Sequence, residues 1–215
     1  MSRYKAYIFD FDLTLADSSK GILICFRHTL GTFGYPVPDD MTIYRTIGIP
    51  LTDAFDVLTG MEENPNKEQM RQVYVEKANE VMSKYTFFYE DTIAILQTLV
   101  NAGVKIGIVS SKMRYRIVES FEMQTHCHPY DLILGLDDVD RPKPDPQGIL
   151  RCAELLGVAK EEVLYIGDSY IDAETARNAG VDFAGVTTGS TTKEDFEKYP
   201  SVYVGSSLLE IFRNI

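Results

Sequence analysis

Two aspartates, separated by a single residue, end a short apolar run near the start of the chain. Residues 7–9 are Tyr-Ile-Phe, Asp10 and Asp12 follow, and Thr14 comes two positions later. A carboxylate buried at the tip of a hydrophobic strand is costly unless a cation compensates its charge. Two carboxylates so close also repel each other, which favours a proton on one of them. The pattern therefore predicts a bound metal ion, a shared proton, or both.

Six short apolar runs predict the strands that would carry such residues. The runs are almost continuously hydrophobic, which is typical of strands buried on both faces of a parallel sheet. Helical patterns lie between them, and several of these patterns stop at a glycine. This alternation predicts a right-handed, doubly wound α/β sheet. The predicted strands are residues 6–10, 105–110, 132–134, 163–167, 183–186 and 202–204, and the predicted helices are residues 91–102, 113–123, 146–156, 171–179, 192–198 and 208–213.

The interval between the first and second predicted strands breaks this alternation. Its patterns are helical, with breaks that contain glycine and proline. It is far longer than an ordinary crossover connection. We therefore expect an inserted helical domain over residues 16–85 and a core domain built from residues 1–15 and 86–215. The helical patterns of the insert are residues 20–33, 51–59 and 67–84.

Polar side chains follow four of the predicted strands. Asp10 and Asp12 follow the first strand, and Ser110-Ser111-Lys112 follows the second. Lys143 lies on the loop after the third strand, and Asp168 follows the fourth. Ligands of open parallel sheets bind at the carboxyl ends of the strands. We therefore expect these side chains to meet at one edge of the sheet.

These segments resemble, in order and spacing, the four motifs of the haloacid dehalogenase superfamily of phosphatases and phosphomutases. The first motif corresponds to residues 10–14, the second to Ser110, the third to Lys143 and the fourth to residues 167–172. The resemblance implies a Rossmann-like core of that family and identifies the helical insert as its cap. Leu13 stands where many members have glycine. Leucine is harmless there if the backbone does not need a positive φ, and the predicted activity stays unchanged.

A phosphoryl-transfer site needs a nucleophile, charge neutralisation on the phosphoryl oxygens and a proton for the leaving oxygen. Asp10, at the strand tip, is the candidate nucleophile and would form an aspartyl-phosphate. Asp12 is the candidate general acid, and then the base for the water that cleaves this intermediate. The resemblance implies that Asp10 also binds the metal, and that Asp12 contacts it through its backbone carbonyl.

The remaining motif residues would hold the metal and the phosphate. Asp168 would complete the metal site, with Asp172 as a further ligand, as support for the ligands, or only as a first-turn acid favoured by the helix dipole. Oxygen ligands favour Mg²⁺. Ser110 would donate a hydrogen bond to the phosphate, with Ser111 either beside it or acting as the N-cap of the next helix. Lys143 would offset the charge of the carboxylates and the phosphoryl group.

The cap loop at residues 46–51 distinguishes branches of the family. The β-phosphoglucomutase branch usually has an arginine near the position of Leu51, where it holds a second phosphate. The segment Ser110-Ser111-Lys112 also resembles the Thr-Asn-Lys of phosphoglycolate phosphatases more closely than the Ser-Ala-Ser type of the mutases. We therefore expect a Mg²⁺-dependent phosphatase for a small, phosphoglycolate-like phosphorylated metabolite. The alternatives are a phosphosugar mutase, a pyrophosphatase and a non-catalytic binding or regulatory protein on the same fold.

The large apolar side chains of the cap are interpreted as core residues rather than ligand contacts. His28, in the first cap helix, is interpreted as a surface or interface residue rather than a substrate contact. The cap residues interpreted as core are Phe26, Phe33, Phe55, Tyr74 and Met82.

Composition limits the partners and the compartment. The 215 residues carry a formal net charge of −11, which argues against nucleic acid and anionic membranes as partners. No apolar run approaches a membrane span of about 20 residues. The three cysteines form no CxxC pair, and the N-terminus does not resemble a signal peptide, so we expect a cytoplasmic protein. A monomer or weak homodimer is expected.

Overall fold

A six-stranded parallel sheet forms the centre of the computed structural model, which describes residues 3–215. In chain order the strands are β1 Ala6–Phe9, β2 Ala16–Asp17, β3 Phe87–Phe88, β4 Lys105–Val109, β5 Leu132–Leu134, β6 Val163–Gly167, β7 Asp182–Val186 and β8 Tyr203–Gly205. The large sheet has the order β5-β4-β1-β6-β7-β8. This order is that of a doubly wound sheet with β1 at its centre, so the predicted α/β fold is confirmed.

Helices α5 to α10 cover the two faces of this sheet. In chain order the helices of the protein are α1 Ser19–Thr32, α2 Asp40–Tyr44, α3 Leu51–Thr59, α4 Lys67–Val81, α5 Thr92–Asn101, α6 Arg114–Gln124, α7 Gln147–Leu156, α8 Tyr170–Ala179, α9 Lys193–Phe196 and α10 Leu208–Asn214. Successive residues of β1 alternate between two cores, because side chains of a strand point to opposite faces. Tyr7 and Phe9 pack with α5, α6 and α10, whereas Ala6 and Ile8 pack with α7, α8 and α9.

The helical insert between β1 and β4 has a hydrophobic cluster of its own, to which α1, α2, α3 and α4 all contribute. The five-residue helix α2 was not predicted, since a single turn shows too little periodicity. It begins at Asp39, whose carboxylate accepts a hydrogen bond from the Thr42 backbone N–H at 3.0 Å. The pattern predicted as one helix over residues 67–84 ends at Val81 and continues as a 3₁₀ turn over Ser83–Tyr85.

A two-stranded antiparallel ribbon joins the insert to the sheet domain. Strand β2 pairs with β3, with Ala16 opposite Phe88 and Asp17 opposite Phe87. Two residues per strand are too few for a sequence pattern, and the ribbon was not predicted. The domain boundaries expected after residues 15 and 85 fall beside this ribbon. Among the described residues, no helix is both long and apolar enough to cross a membrane.

Candidate active site

Three of the expected site residues lie directly after the central strands. Asp10 follows β1, Ser110 follows β4 and Asp168 follows β6, and all three are buried. Parallel pairing extends to the first two, because the Asp10 N–H donates to the Ile166 carbonyl at 2.9 Å and the Ser110 N–H to the Leu134 carbonyl at 3.1 Å. The sequence placed Asp10 and Ser110 inside strands. Each strand ends one residue earlier, which leaves both side chains at the carboxyl edge of the sheet.

Lys143 supplies the positive charge of this buried edge. Its Nζ lies 2.9 Å from Asp10 Oδ1 and 2.6 Å from Asp172 Oδ1, and its side chain is 6% exposed. Burial lowers the pKa of Lys143, but the carboxylates of Asp10 and Asp172 outweigh this effect and raise the pKa well above its usual value. The lysine therefore stays protonated and forms ion pairs with two carboxylates, in line with the expectation that it offsets their charge.

Asp172 has two structural roles at once. Its Oδ2 accepts hydrogen bonds from the Ser169 N–H at 3.1 Å and the Ser169 hydroxyl at 2.5 Å, as the third residue of a capping box at the start of α8. Its Oδ1 accepts from Lys143 and from the Tyr165 hydroxyl, the latter at 2.9 Å. Both oxygens are thus engaged by protein donors, which suits a residue that supports metal ligands. Gly167 permits this approach, because a Cβ there would lie 2.4 Å from the Asp172 Cβ.

Tyr165 is a site residue that sequence reasoning missed. It lies in the middle of the apolar strand β6 and is completely buried. Its hydroxyl contacts Asp172, lies 3.3 Å from the Lys143 Nζ and is 3.2 Å from the Val109 carbonyl. Buried tyrosines need a partner for the hydroxyl group, and a tyrosine within an otherwise aliphatic strand is the sequence signal that could have indicated this role.

The buried carboxylates fit a divalent cation. One oxygen from each of Asp10, Asp168 and Asp172 lies within 4.8 Å of the others. Burial raises the pKa of Asp10 to about 6, although Lys143 opposes the shift. Burial and the charges of Asp172 and Asp10 raise the pKa of Asp168 well above its usual value. Three carboxylates facing one lysine leave negative charge uncompensated, and an all-oxygen donor set is what Mg²⁺ prefers.

The side chain of Asp12 lies outside this carboxylate cluster. Lys112 Nζ is 2.6 Å from Asp12 Oδ1, and the Ser18 hydroxyl donates to the same oxygen. The sequence placed Lys112 at this edge of the sheet but gave it no role in the site. Since the side chain of Asp12 is not one of the grouped metal candidates, it is available for proton transfer.

Ser111 does not cap a helix, so that interpretation was wrong. Helix α6 starts later, at Arg114, with Met113 as its N-cap residue. The Ser111 hydroxyl instead donates to the Gly48 carbonyl of the cap loop at 3.0 Å. The Ser110 hydroxyl accepts a hydrogen bond from the Lys112 N–H at 3.3 Å, which leaves its proton free to bind an anion.

Leu13 adopts the left-handed backbone conformation, so the condition under which leucine is harmless at this position is not met. Its φ is +61°, its side chain is buried, and it packs within the cap cluster rather than in the sheet domain. A non-glycine residue in this region costs about 1–3 kcal/mol. The loop between the two catalytic candidates and the cap is therefore strained, and Leu13 offsets that strain by filling the cap core.

A cavity of about 180 Å³ lies between the cap and the carboxyl edge of the sheet. Asp10, Asp12 and the Ser110–Lys112 segment line its sheet side, and the cap loop from Thr46 to Leu51 lines the other. Phe26, Tyr74 and Met82 line the cavity and also belong to the cap core, whereas Phe33 and Phe55 only pack within the cap. His28 is exposed and does not line the cavity.

Comparisons with known proteins agree with this arrangement. The family model for haloacid dehalogenase-like hydrolases matches residues 7–186. The pyrophosphatase PpaX of Bacillus velezensis is 30% identical over 97% of this chain and 96% of its own length, and that of Listeria welshimeri is 31% identical over 96% and 95%. A solved haloacid dehalogenase-like hydrolase from Bacteroides fragilis superposes with a TM-score of 0.94 at 44% identity, covering 97% of this chain and 99% of its own.

Proposed function

The chain belongs to the haloacid dehalogenase-like hydrolases, and on that premise we propose that it is a Mg²⁺-dependent phosphatase of a small phosphorylated metabolite. One observation carries the proposal. Of the three buried carboxylates that could share a metal, only Asp10 also lines the cavity below the cap. A phosphoryl group in this cavity would therefore meet Asp10 first.

Asp10 is the nucleophile in this mechanism. One of its oxygens attacks phosphorus, the bond from phosphorus to the leaving oxygen breaks, and an aspartyl-phosphate forms. Lys143, 2.9 Å from the Asp10 carboxylate, favours the ionised form of that carboxylate and offsets the charge of the phosphoryl oxygens. The Ser110 hydroxyl, at the tip of the neighbouring strand, donates a hydrogen bond to one of these oxygens.

Asp12 moves the proton. When protonated, it gives its proton to the leaving oxygen, and as a carboxylate it then removes a proton from the water that attacks the aspartyl-phosphate. Its side chain lines the same cavity as Asp10. Lys112 and Ser18 hold it to one side of the carboxylate cluster, which supports separate roles for the two aspartates.

The metal would be held by Asp10, Asp168 and the backbone carbonyl of Asp12, with Asp172 in support. When bound, Mg²⁺ supplies charge neutralisation and orientation to the phosphoryl oxygens. The Thr14 hydroxyl fixes one ligand, because it donates to Asp168 Oδ1 at 2.9 Å. The requirement for Mg²⁺ rests on the charge imbalance and on the oxygen-only donor set of these residues.

Phosphoglycolate-like esters are the substrates that we propose first. The cavity has room for about six water molecules, which suits a phosphoryl group with a short leaving group. Pyrophosphate is the second candidate, since two relatives are named as pyrophosphatases. A mutase is less well supported, because Leu51 lines the cavity where that branch carries an arginine. We further propose that the enzyme acts in the cytoplasm as a monomer or weak dimer.

Phosphate release from an aryl phosphate tests the proposal. The purified protein with Mg²⁺ should release phosphate, and Asp10→Asn should abolish the release, because an amide is a poor nucleophile. Asp53→Asn, at an exposed position of the cap, is the matched control and should leave the rate unchanged. Undiminished release by Asp10→Asn would refute the nucleophile, and no release by the parent protein from any phosphorylated metabolite would favour a non-catalytic role.

A further inference from the structure

We propose that Arg116 is a specificity-determining residue, which binds an anionic group on the leaving-group part of the substrate. The anion is a carboxylate or a second phosphate, since both match the flat fork of a guanidinium group. This inference rests on the proposed phosphatase function, because it concerns the substrate of the same cavity.

Three cationic side chains line the cavity, and Arg116 differs from the other two. Arg71, on cap helix α4, is 46% exposed and pairs with Glu68 at 2.9 Å, so water screens its charge. Arg116, on helix α6 of the sheet domain, is only 8% exposed. Lys112 is as buried as Arg116, at 7% exposed, but its charge is already paired with Asp12 at 2.6 Å. A substrate anion would therefore gain most from Arg116, which is buried and has no carboxylate so close.

The charge of Arg116 is only weakly compensated within the protein. Its nearest carboxylate is Glu119, at 3.4 Å, and this carboxylate is 42% exposed and also accepts a hydrogen bond from the Ser83 hydroxyl. Its other side-chain partners are uncharged: the amide oxygen of Asn79, in the cap, and the ring of Tyr115, whose centroid is 4.8 Å from the guanidinium carbon. A buried charge is only partly compensated when its counter-ion is itself exposed to water. An anionic substrate group would supply the missing charge when the site is filled.

The size and the walls of the cavity limit the rest of the substrate. Room for about six waters leaves space for a phosphoryl group and a few further atoms. Apolar side chains of the cap, among them Phe26, Tyr74 and Met82, face this space. They exclude water from the site and so strengthen the attraction between Arg116 and an anion. The cavity therefore fits a phosphoryl group joined by a short spacer to a second anion.

The test compares kcat/KM for anionic and neutral substrates. 2-Phosphoglycolate and pyrophosphate carry the second anion, and ethyl phosphate does not. The parent enzyme should prefer at least one of the two anionic substrates. Arg116→Met should lower kcat/KM for that substrate about 100-fold and change ethyl phosphate less than about threefold, and Arg116→Lys should restore part of the loss. Arg27→Met, which removes an exposed cap arginine outside the cavity, should change neither.

A second variant keeps the inference testable if Arg116 is needed for folding. Asn79→Asp retains Arg116 but places a carboxylate beside it, which competes with the substrate anion. We expect at least about a tenfold loss of the preference for the anionic substrate. Equal losses on anionic and neutral substrates in Arg116→Met, or an unchanged preference in Asn79→Asp, would overturn the role of Arg116. Hydrolysis of ethyl phosphate by the parent enzyme shows, in either case, that the proposed phosphatase function holds.

Discussion

The two sides of the cavity are built on opposite principles. On the sheet side, Lys143, Asp172 and Tyr165 form a buried polar network in which each group has a protein partner. On the cap side, side chains such as Phe26 and Met82 serve both as hydrophobic core and as cavity wall. The polar network tolerates little change, since loss of Lys143 leaves two buried carboxylates without their counter-ion. The apolar wall holds no such charges, and we expect its shape to determine which leaving group fits.

The largest effect is expected on the sheet side, for Lys143→Met. Removing the lysine leaves Asp10 and Asp172 buried without their counter-ion, which should cost about 3–5 kcal/mol in free energy of unfolding and abolish phosphate release. Urea denaturation measures the first quantity. Lys105→Met, at an exposed ion pair with Asp131, is the control and should cost less than about 1 kcal/mol. Similar losses of unfolding free energy in both variants would show that the buried ion pairs stabilise the fold no more than an exposed pair does.

Mg²⁺ should stabilise the protein by binding carboxylates on the sheet side of the cavity. At a concentration of 100 times its Kd, Mg²⁺ should stabilise the fold by about 2.7 kcal/mol. The folded-state pKa of Asp10, about 6, lies above its unfolded value, so the metal-free protein loses stability as the pH rises towards that value. Mg²⁺ binds the deprotonated carboxylates and should restore this stability. Thermal unfolding of chelator-treated protein should show a larger Mg²⁺ shift at about pH 7.5 than at about pH 5.

Equal Mg²⁺ shifts at the two pH values would contradict a metal site made of these carboxylates. Asp168→Asn provides the matched control, since it removes one candidate ligand. Its Mg²⁺ shift should be much smaller at the higher pH, while the metal-free protein should be no less stable, because one of the repelling charges has been removed.

A smaller effect is expected where the two sides join, at Leu13. Leu13→Ala and Leu13→Gly both remove the side chain from the cap core, but only glycine relieves the strain of the positive φ. We expect Leu13→Gly to be about 1 kcal/mol more stable than Leu13→Ala, the reverse of the order found in ordinary helices and strands. Urea denaturation of the pair measures the difference. An alanine variant at least as stable as the glycine variant would show that the loop is not strained.

Sequence patterns predicted the fold and the meeting of the motif residues for one physical reason. Parallel strands bring their carboxyl ends to a common edge, so Asp10, Ser110 and Asp168 had to lie together once the strands were recognised. Tyr165 and Arg116 could not be found in this way. A tyrosine in a buried strand resembles core, an arginine in a helix resembles surface, and only the packing of distant elements shows that their polar ends reach the site.

Short elements and single backbone conformations are also missing from the sequence prediction. Helix α2 and the ribbon of β2 and β3 are too short for periodicity to reveal them. The conformation of Leu13 depends on the cap core that its side chain enters, so no local pattern could indicate a positive φ at that position. The sequence pattern thus predicts the sheet side far better than the cap side.

Trapping the aspartyl-phosphate tests the central claim, that Asp10 attacks phosphorus and Asp12 moves the proton. An aryl phosphate with a good leaving group needs little acid assistance, so Asp12→Asn should still form the intermediate but break it down slowly, for lack of a base. Rapid acid quenching and peptide mass spectrometry should then find about one phosphoryl group per enzyme, on Asp10. Phosphate release without any phosphorylated Asp10, or a phosphoryl group on another residue, would contradict the mechanism.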